Sequence, residues 1–174
     1  ALVTEDRRDD GLVLEASVAD NLALVSLADH ARGGWIDRRR LARALEAQAE
    51  AVSLEATGGF ARPVATLSGG NQQKVVLGKW LLTRPSVVLL DEPTRGIDVG
   101  ARQQVYRLVS ELADAGTAVL LVSSEIEELL GLADRILVMH QGRLVAELPR
   151  EHFDQERILT AALGGSSGAG AEGT

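Results

Sequence analysis

The spacing of apolar and polar positions changes twice along the chain. After an apolar start at Leu2-Val3, residues 5–11 are polar and end in glycine, the composition of a loop. Apolar residues recur at helical spacing from Ser17 to Leu27. Asp37 then stands where it can cap a longer helix reaching about Leu54, with Ile36, Leu41, Leu45 and Val52 near one face. Thr57-Gly58-Gly59 and Arg62-Pro63 break that pattern. A further helix is predicted from Asn71 to about Thr83, stopped by Pro85. The period then shifts. Residues 86–90 form a continuous, partly β-branched apolar run, as expected of a parallel strand buried on both faces, and Asp91-Glu92 sits at its carboxyl end. Asp98 can cap the next helix, whose Val105, Leu108, Val109 and Leu112 mark one face before Gly116 ends it. A second buried strand is predicted at 118–122. Ser124 and Glu127 have capping-box spacing for the helix that carries Ile126, Leu129 and Leu130. Ile136–Met139 and Leu144–Leu148 read as a hairpin turning through Gln141-Gly142. Strands alternating with helices predict an α/β fold. From Gly164 onward the chain is rich in Gly, Ser and Ala without apolar spacing, which predicts disorder.

Composition narrows the function. The 174 residues are 45% hydrophobic and 25% charged, within the range of one globular domain with a core. A formal net charge of -7 argues against a nucleic-acid binder that works through phosphate contacts, because that mode needs clustered Lys and Arg. The single basic run, Arg38-Arg39-Arg40, lies among acidic and neutral residues and reads as a solvated helix start. With no cysteine, disulfides and thiolate chemistry are excluded. The apolar runs fall far short of the roughly 20 residues that cross a bilayer. His30, His140 and His152 have no partner at metal-ligand spacing and read as surface residues. The start at Ala1 rather than Met, running straight into Leu2-Val3, reads as a strand end and hence as a truncated sequence.

Two short stretches carry chemistry. An Asp-Glu pair at the carboxyl edge of a parallel sheet lies where α/β folds bind ligands. Nucleotide hydrolysis needs one carboxylate for the metal and one for the attacking water, which suits Asp91 and Glu92 respectively. Ser68-Gly69-Gly70 precedes a predicted helix, so Ser68 can cap it while two residues without side chains let backbone N–H groups approach a phosphate. Either feature alone is common, and Ser-Gly-Gly by itself is usually a flexible turn.

Together they are specific. Leu67-Ser68-Gly69-Gly70-Asn71-Gln72-Gln73-Lys74, followed by Asp91-Glu92-Pro93-Thr94-Arg95-Gly96-Ile97-Asp98, resembles the signature motif, Walker B motif and D-loop of the ABC ATPase family. Glu5–Leu12, the extended signature and Thr94–Ala101 further resemble the second nucleotide-binding half of ATPases that serve ribose-, xylose- and galactose-type importers. The resemblance reaches to about Leu163. It implies a P-loop NTPase (RecA-like) parallel-sheet core with an inserted helical subdomain. Its parts would be a strand end and Q-loop at 1–10, the helical subdomain at 11–83, the core with Walker B, D-loop and switch region at 84–163, and a disordered tail at 164–174.

The resemblance also implies ATP and Mg²⁺ as cofactors. Glu92 would be catalytic; Ser68, Gly69, Gly70, Asn71, Gln72, Asp98 and Ser124 would bind nucleotide; Asp91 and Glu5 would meet the metal. The implied partners are an N-terminal nucleotide-binding half, two membrane permease subunits and, indirectly, a sugar-binding protein, at the cytoplasmic face of the plasma membrane. No nucleic acid is expected. A nucleoside importer ATPase and a non-transport ABC ATPase are the alternatives; the second needs basic linkers or coiled-coil insertions that the sequence does not carry.

Three positions depart from the family pattern. No stretch matches Gly-x-x-x-x-Gly-Lys-Ser/Thr, and Gly78-Lys79-Trp80 lacks the first glycine and the hydroxyl. Truncation upstream of Ala1 is the simplest cause. Glu5 stands where the Q-loop usually has Gln, and Ser124 where a switch His is usual. Glu5 can still ligate a cation, whereas the missing phosphate loop and missing His point to a weaker ATP site on this half, with the intact signature serving a site completed by the other half.

Overall fold

The computed structural model describes residues 1–164, which form two compact units, Ala1–Val122 and a second that begins at Ser123. The tail expected to be disordered, 164–174, lies outside the described residues apart from Gly164.

In the first unit, strand β1 (Leu2–Val3) leads into a π-helical turn at Arg7–Gly11 and then helix α1 (Val18–Ala23). A small antiparallel pair, β2 (Ala31–Arg32) and β3 (Trp35–Ile36), precedes helix α2 (Arg38–Ala51). Helix α3 (Gly69–Leu81), strand β4 (Val87–Asp91), helix α4 (Val99–Asp114) and strand β5 (Ala118–Val122) complete it. The sheet is parallel in the order β1-β4-β5, with Leu2 opposite Leu89 and Asp91 opposite Val122.

Short-range rules fix the helix ends. Asp37, Ser68 and Asp98 each stand at an N-cap with the side chain accepting from the N–H three residues on, at 3.0, 3.4 and 2.9 Å. The expected helix 37–54 stops at Ala51 because Ser53 turns left-handed (φ 50°) and the Leu54 N–H returns to the Ala49 carbonyl. Gly116 (φ 89°) does the same for α4, with Thr117 N–H bonding to Leu112 O. The predicted helix 17–27 is shorter than its periodicity implied. The Ser26 N–H and hydroxyl both bond to the Ala23 carbonyl, which closes α1, and a 3₁₀ turn follows at Leu27–His30.

The strands also differ from expectation. Val88 and Leu90 are fully buried, but Val87, Leu89, Leu120 and Val122 are 37–54% exposed, so the sheet packs on one face only. Helices α3 and α4 supply that layer, and among the described residues nothing covers the other face. His30, expected at the surface, is buried, with Nδ1 2.9 Å from the Ser26 carbonyl.

The second unit contains helix α5 (Ile126–Leu132), the hairpin β6 (Arg135–His140) and β7 (Arg143–Pro149), and helix α6 (Gln155–Ala162). Its turn, Gln141-Gly142, has positive φ at both residues, which gives the twist a two-residue hairpin needs. Ile136, Val138 and Leu148 pack on Ile158 and Ala161 as a separate core. The expected capping box is displaced: the N-cap of α5 is Glu125, one residue after Ser124. His140 bonds from Nδ1 to the Ala162 carbonyl at 2.8 Å.

Leu22 is fully buried where α1 meets α3, and a Cβ on Gly78 would lie 3.0 Å from its Cδ2. Leu22→Ala is therefore expected to cost about 2–5 kcal/mol. Urea unfolding should show a lower midpoint with an unchanged slope.

Candidate functional site

The site is organised around the start of α3, a helix unusual in being buried at Gly70 and from Gln72 through Lys79. A helix closed in on most sides must find partners for its polar side chains. Lys74 Nζ donates to Ser53 O at 2.6 Å, and Lys79 Nζ donates to Gly11 O at 2.5 Å. Burial pushes the pKa of both amines down, with Glu55 and Asp98 partly offsetting this at Lys74. Asn71 is committed twice, accepting from Glu55 N–H at 3.1 Å and donating to Ser68 Oγ at 3.2 Å. Gln72 is 1% exposed; its Nε2 lies 3.4 Å from Val64 O, and its Oε1 has no hydrogen-bond partner.

These bonds leave Ser68 exposed at the helix tip with Gly69 and Gly70 behind it. A Cβ on Gly70 would lie 2.5 Å from Ala101 Cβ, and one on Gly69 2.8 Å from Arg7 Nη2 and 3.2 Å from Gly96 O. The glycines thus have a packing reason beyond leaving N–H groups bare. They let the first turn of α3 touch the first turn of α4, where Asp98 is the N-cap.

Asp91 ends β4 on the same face as Val87 and Leu89. Glu92 breaks the alternation: its φ is 46°, and its N–H donates to Val122 O at 2.9 Å while its carbonyl accepts from Arg95 N–H at 3.1 Å. A left-handed glutamate is a strained conformation of the kind that gathers at functional sites. The loop 93–97 then runs past Arg7, whose Nη1 donates to Arg95 O at 2.9 Å and Nη2 to Gly96 O at 3.3 Å. Glu5 forms an ion pair with the Arg95 guanidinium.

Glu5, Ser68, Gly69, Gly70, Asn71, Gln72, Asp91, Glu92 and Asp98 thus all lie in the first unit, where Gly69 and Gly70 meet Gly96, Asp98 and Ala101 and Glu5 meets Arg95. Ser124 belongs to the second unit. Among the described residues no three His, Asp or Glu side chains gather to hold a metal unaided. Magnesium at a nucleotide takes one or two carboxylates beside phosphate oxygens. Half-buried Asp91 fits that limited donor set, while Glu5 is engaged by Arg95.

Residues 3–95, more than half of the chain, match the family model of the ABC transporter. The chain belongs to the ABC transporter family. It is 47% identical over 163 residues to the ribose import ATP-binding protein RbsA of Bacillus licheniformis, covering 94% of this chain and 33% of that protein. It is 49% identical over 167 residues to the ribose import ATP-binding protein RbsA 2 of Streptomyces coelicolor, covering 96% of this chain and 32% of that protein. This ABC transporter chain thus spans about a third of the length of those relatives. A dimeric bacterial ABC transporter cassette superposes with a TM-score of 0.70 at 27% identity, over 87% of this chain and 63% of the other. An ATP-binding cassette in its ADP conformation matches in fold with a TM-score of 0.71 at 22% identity, over 94% and 68%. The P-loop NTPase fold expected from the motifs is the fold of these neighbours.

The packing of the Ser68-Gly69-Gly70 turn is open to a direct test. Gly70→Ala should lower stability by about 1–3 kcal/mol, since the added methyl overlaps Ala101. Ala101→Gly in the same protein should recover much of that loss in thermal unfolding; equal, additive losses would show that the two residues do not meet.

Proposed function

We propose that this chain is part of the ATP-binding subunit of an ABC importer that couples ATP binding and hydrolysis to monosaccharide uptake. The observation that carries the reading is the signature turn Ser68-Gly69-Gly70 packed on the D-loop and α4, in one unit with Asp91 and Glu92. The sugar class rests on the ribose import relatives. The remaining parts of the machine would be an N-terminal nucleotide-binding half, two permease subunits and a sugar-binding protein, with this subunit peripheral at the cytoplasmic face of the membrane.

In this reading the Ser68 hydroxyl and the Gly69 and Gly70 N–H groups donate to the γ-phosphate of a nucleotide cradled by the opposing half. Asn71 and Gln72 hold that turn in place. Asp91 presents a carboxylate to Mg²⁺, and Glu92 accepts a hydrogen bond from the attacking water and takes its proton at a carboxylate oxygen. When bound, Mg²⁺ neutralises phosphate charge. Asp98 positions the loop that meets the opposing half. Ser124, standing where typical ABC ATPases place a switch histidine, offers only a hydroxyl to the γ-phosphate. Asp91 and Glu92 therefore border the slower of two sites, and Ser68 completes the faster one.

The test uses Mg²⁺-ATP hydrolysis by the full-length protein. Ser68→Arg is expected to lower activity by about 100-fold, the scale on which phosphate-directed donors act. Glu92→Gln should lower it far less, by about 2-fold, because it disables only the slower site. Undiminished activity in Ser68→Arg would overturn the assignment of the signature.

A further inference from the structure

Three segments far apart in sequence meet at one guanidinium. Arg7 reaches the consecutive carbonyls of Arg95 and Gly96 at 2.9 and 3.3 Å, and its Nη2 occupies the space beside Gly69 that a side chain there would need. Gly96 has φ 67°, so the carbonyls are presented by a backbone that glycine makes accessible. Arg7 itself is held from behind. Its π-helical turn begins with the Asp6 carboxylate accepting from Arg8 and Asp9 N–H at 2.9 and 3.1 Å. It ends at Gly11, whose carbonyl takes the Lys79 ammonium and whose Cα packs on Val76. Helix α3 thus anchors Arg7's turn through Lys79, and Gly69 at its start leaves free the space that the guanidinium fills.

We propose that Arg7 is a positioning residue that clamps the D-loop backbone to the first turn of the signature helix, so that the two move as one body. This rests on the reading that the signature turn completes an ATP site.

Arg7 is half-buried, and its Nε is buried without a hydrogen-bond partner. Burial also depresses its pKa, with neighbouring Arg8 adding to the effect and Asp6 opposing it. A charge placed there at a desolvation cost is retained for what its two remaining N–H arms hold. The planar fork suits two adjacent carbonyls, which a lysine's point charge does not reproduce. The nearby Glu5–Arg95 pair links the same segments, but its side chains are 46% and 67% exposed, so water screens it and it does not replace the clamp. The clamp touches protein backbone only. It therefore acts on alignment in the closed complex rather than on nucleotide affinity.

In the full-length protein, Arg7→Ala and Arg7→Lys should each lower kcat for ATP hydrolysis by about 10- to 100-fold, the range for misplacement by about an ångström. KM for ATP should stay within about 2-fold. Amide hydrogen exchange at Arg95 and Ile97 should accelerate by about 10-fold or more in both variants. Gly69→Ala pushes a methyl into the guanidinium and should reproduce the faster exchange at Arg95 and Ile97; because Gly69 also stands in the proposed phosphate turn, exchange and not kcat is its readout. In the Arg7→Ala/Gly69→Ala double variant that exchange should be no faster than in either single one, because they break the same contact. Wild-type kcat in Arg7→Lys, additive acceleration of exchange in the double variant, or unchanged D-loop exchange in Arg7→Ala would each overturn the clamp. If the wild-type protein hydrolyses no ATP, the functional reading fails. The exchange measurement then decides the clamp alone: acceleration upholds it and no change overturns it.

Discussion

Burial of α3 is the constraint from which the rest of the first unit follows. A helix that carries two lysines and two glutamines into a closed environment, with a half-buried asparagine at its start, depends on partners for its polar ends, and of these Gln72 Oε1 lacks one. The available partners are backbone groups of the surrounding loops: Ser53 O for Lys74, Gly11 O for Lys79, Val64 O for Gln72 and Glu55 N–H for Asn71. A hydrogen bond to a charged group contributes about 1.5–3 kcal/mol, and leaving such a group buried and unpaired costs more. The loops are consequently fixed relative to the helix axis. Their positions in turn fix where Ser68 emerges and which surfaces its two glycines touch.

Much of this architecture was legible in the sequence because the rules that shape it act over three or four residues. The caps at Asp37, Ser68 and Asp98, the stop at Gly116 and the hairpin turn at Gln141-Gly142 are local. The order of Ser68-Gly69-Gly70 and Asp91-Glu92 along the chain pointed to the family, and the family and the fold are those of the relatives and neighbours. Other features were not readable, for identifiable reasons. Arg7 and Arg95 are 88 residues apart, and no periodicity links them. The strand at 86–90 has a uniformly apolar sequence, which says that both faces are hydrophobic but not whether both are covered. His30 is buried because the 3₁₀ turn that follows α1 folds its ring back onto Ser26 O, and the helical spacing of 17–27 gave no sign of that turn.

Gly69 and Gly70 have a packing role, which affects how the proposed phosphate contact is probed. A side chain at Gly70 collides with Ala101 and one at Gly69 collides with Arg7, so loss of activity at either position confounds displacement of α3 with loss of a phosphate contact. Ser68 is the cleaner position. Its side chain is exposed and bonds to the N–H and amide of Asn71 as the cap of α3, so changing it alters the cap and the exposed surface without forcing a side chain into Arg7 or Ala101.

The carboxylates obey a different constraint from the signature turn. Glu92 occupies a left-handed conformation that would relax in a free peptide, yet its N–H extends the β4-β5 ladder to Val122 O and its carbonyl closes the turn to Arg95. Two backbone bonds pointing in different directions leave little freedom in φ and ψ, so the direction of its Cα–Cβ bond is set by sheet register. Asp91, one residue earlier, is fixed by the same register opposite Val122. The two acidic groups are thus placed by the sheet, whereas Ser68 is placed by α3 and its loops. Arg7 joins these two systems, because its turn is anchored on α3 while its guanidinium holds the loop that leaves Glu92. A link at that point couples α3 to the loop after the strand through the Lys79 bond to Gly11 O and the two Arg7 hydrogen bonds, without requiring the sheet to deform.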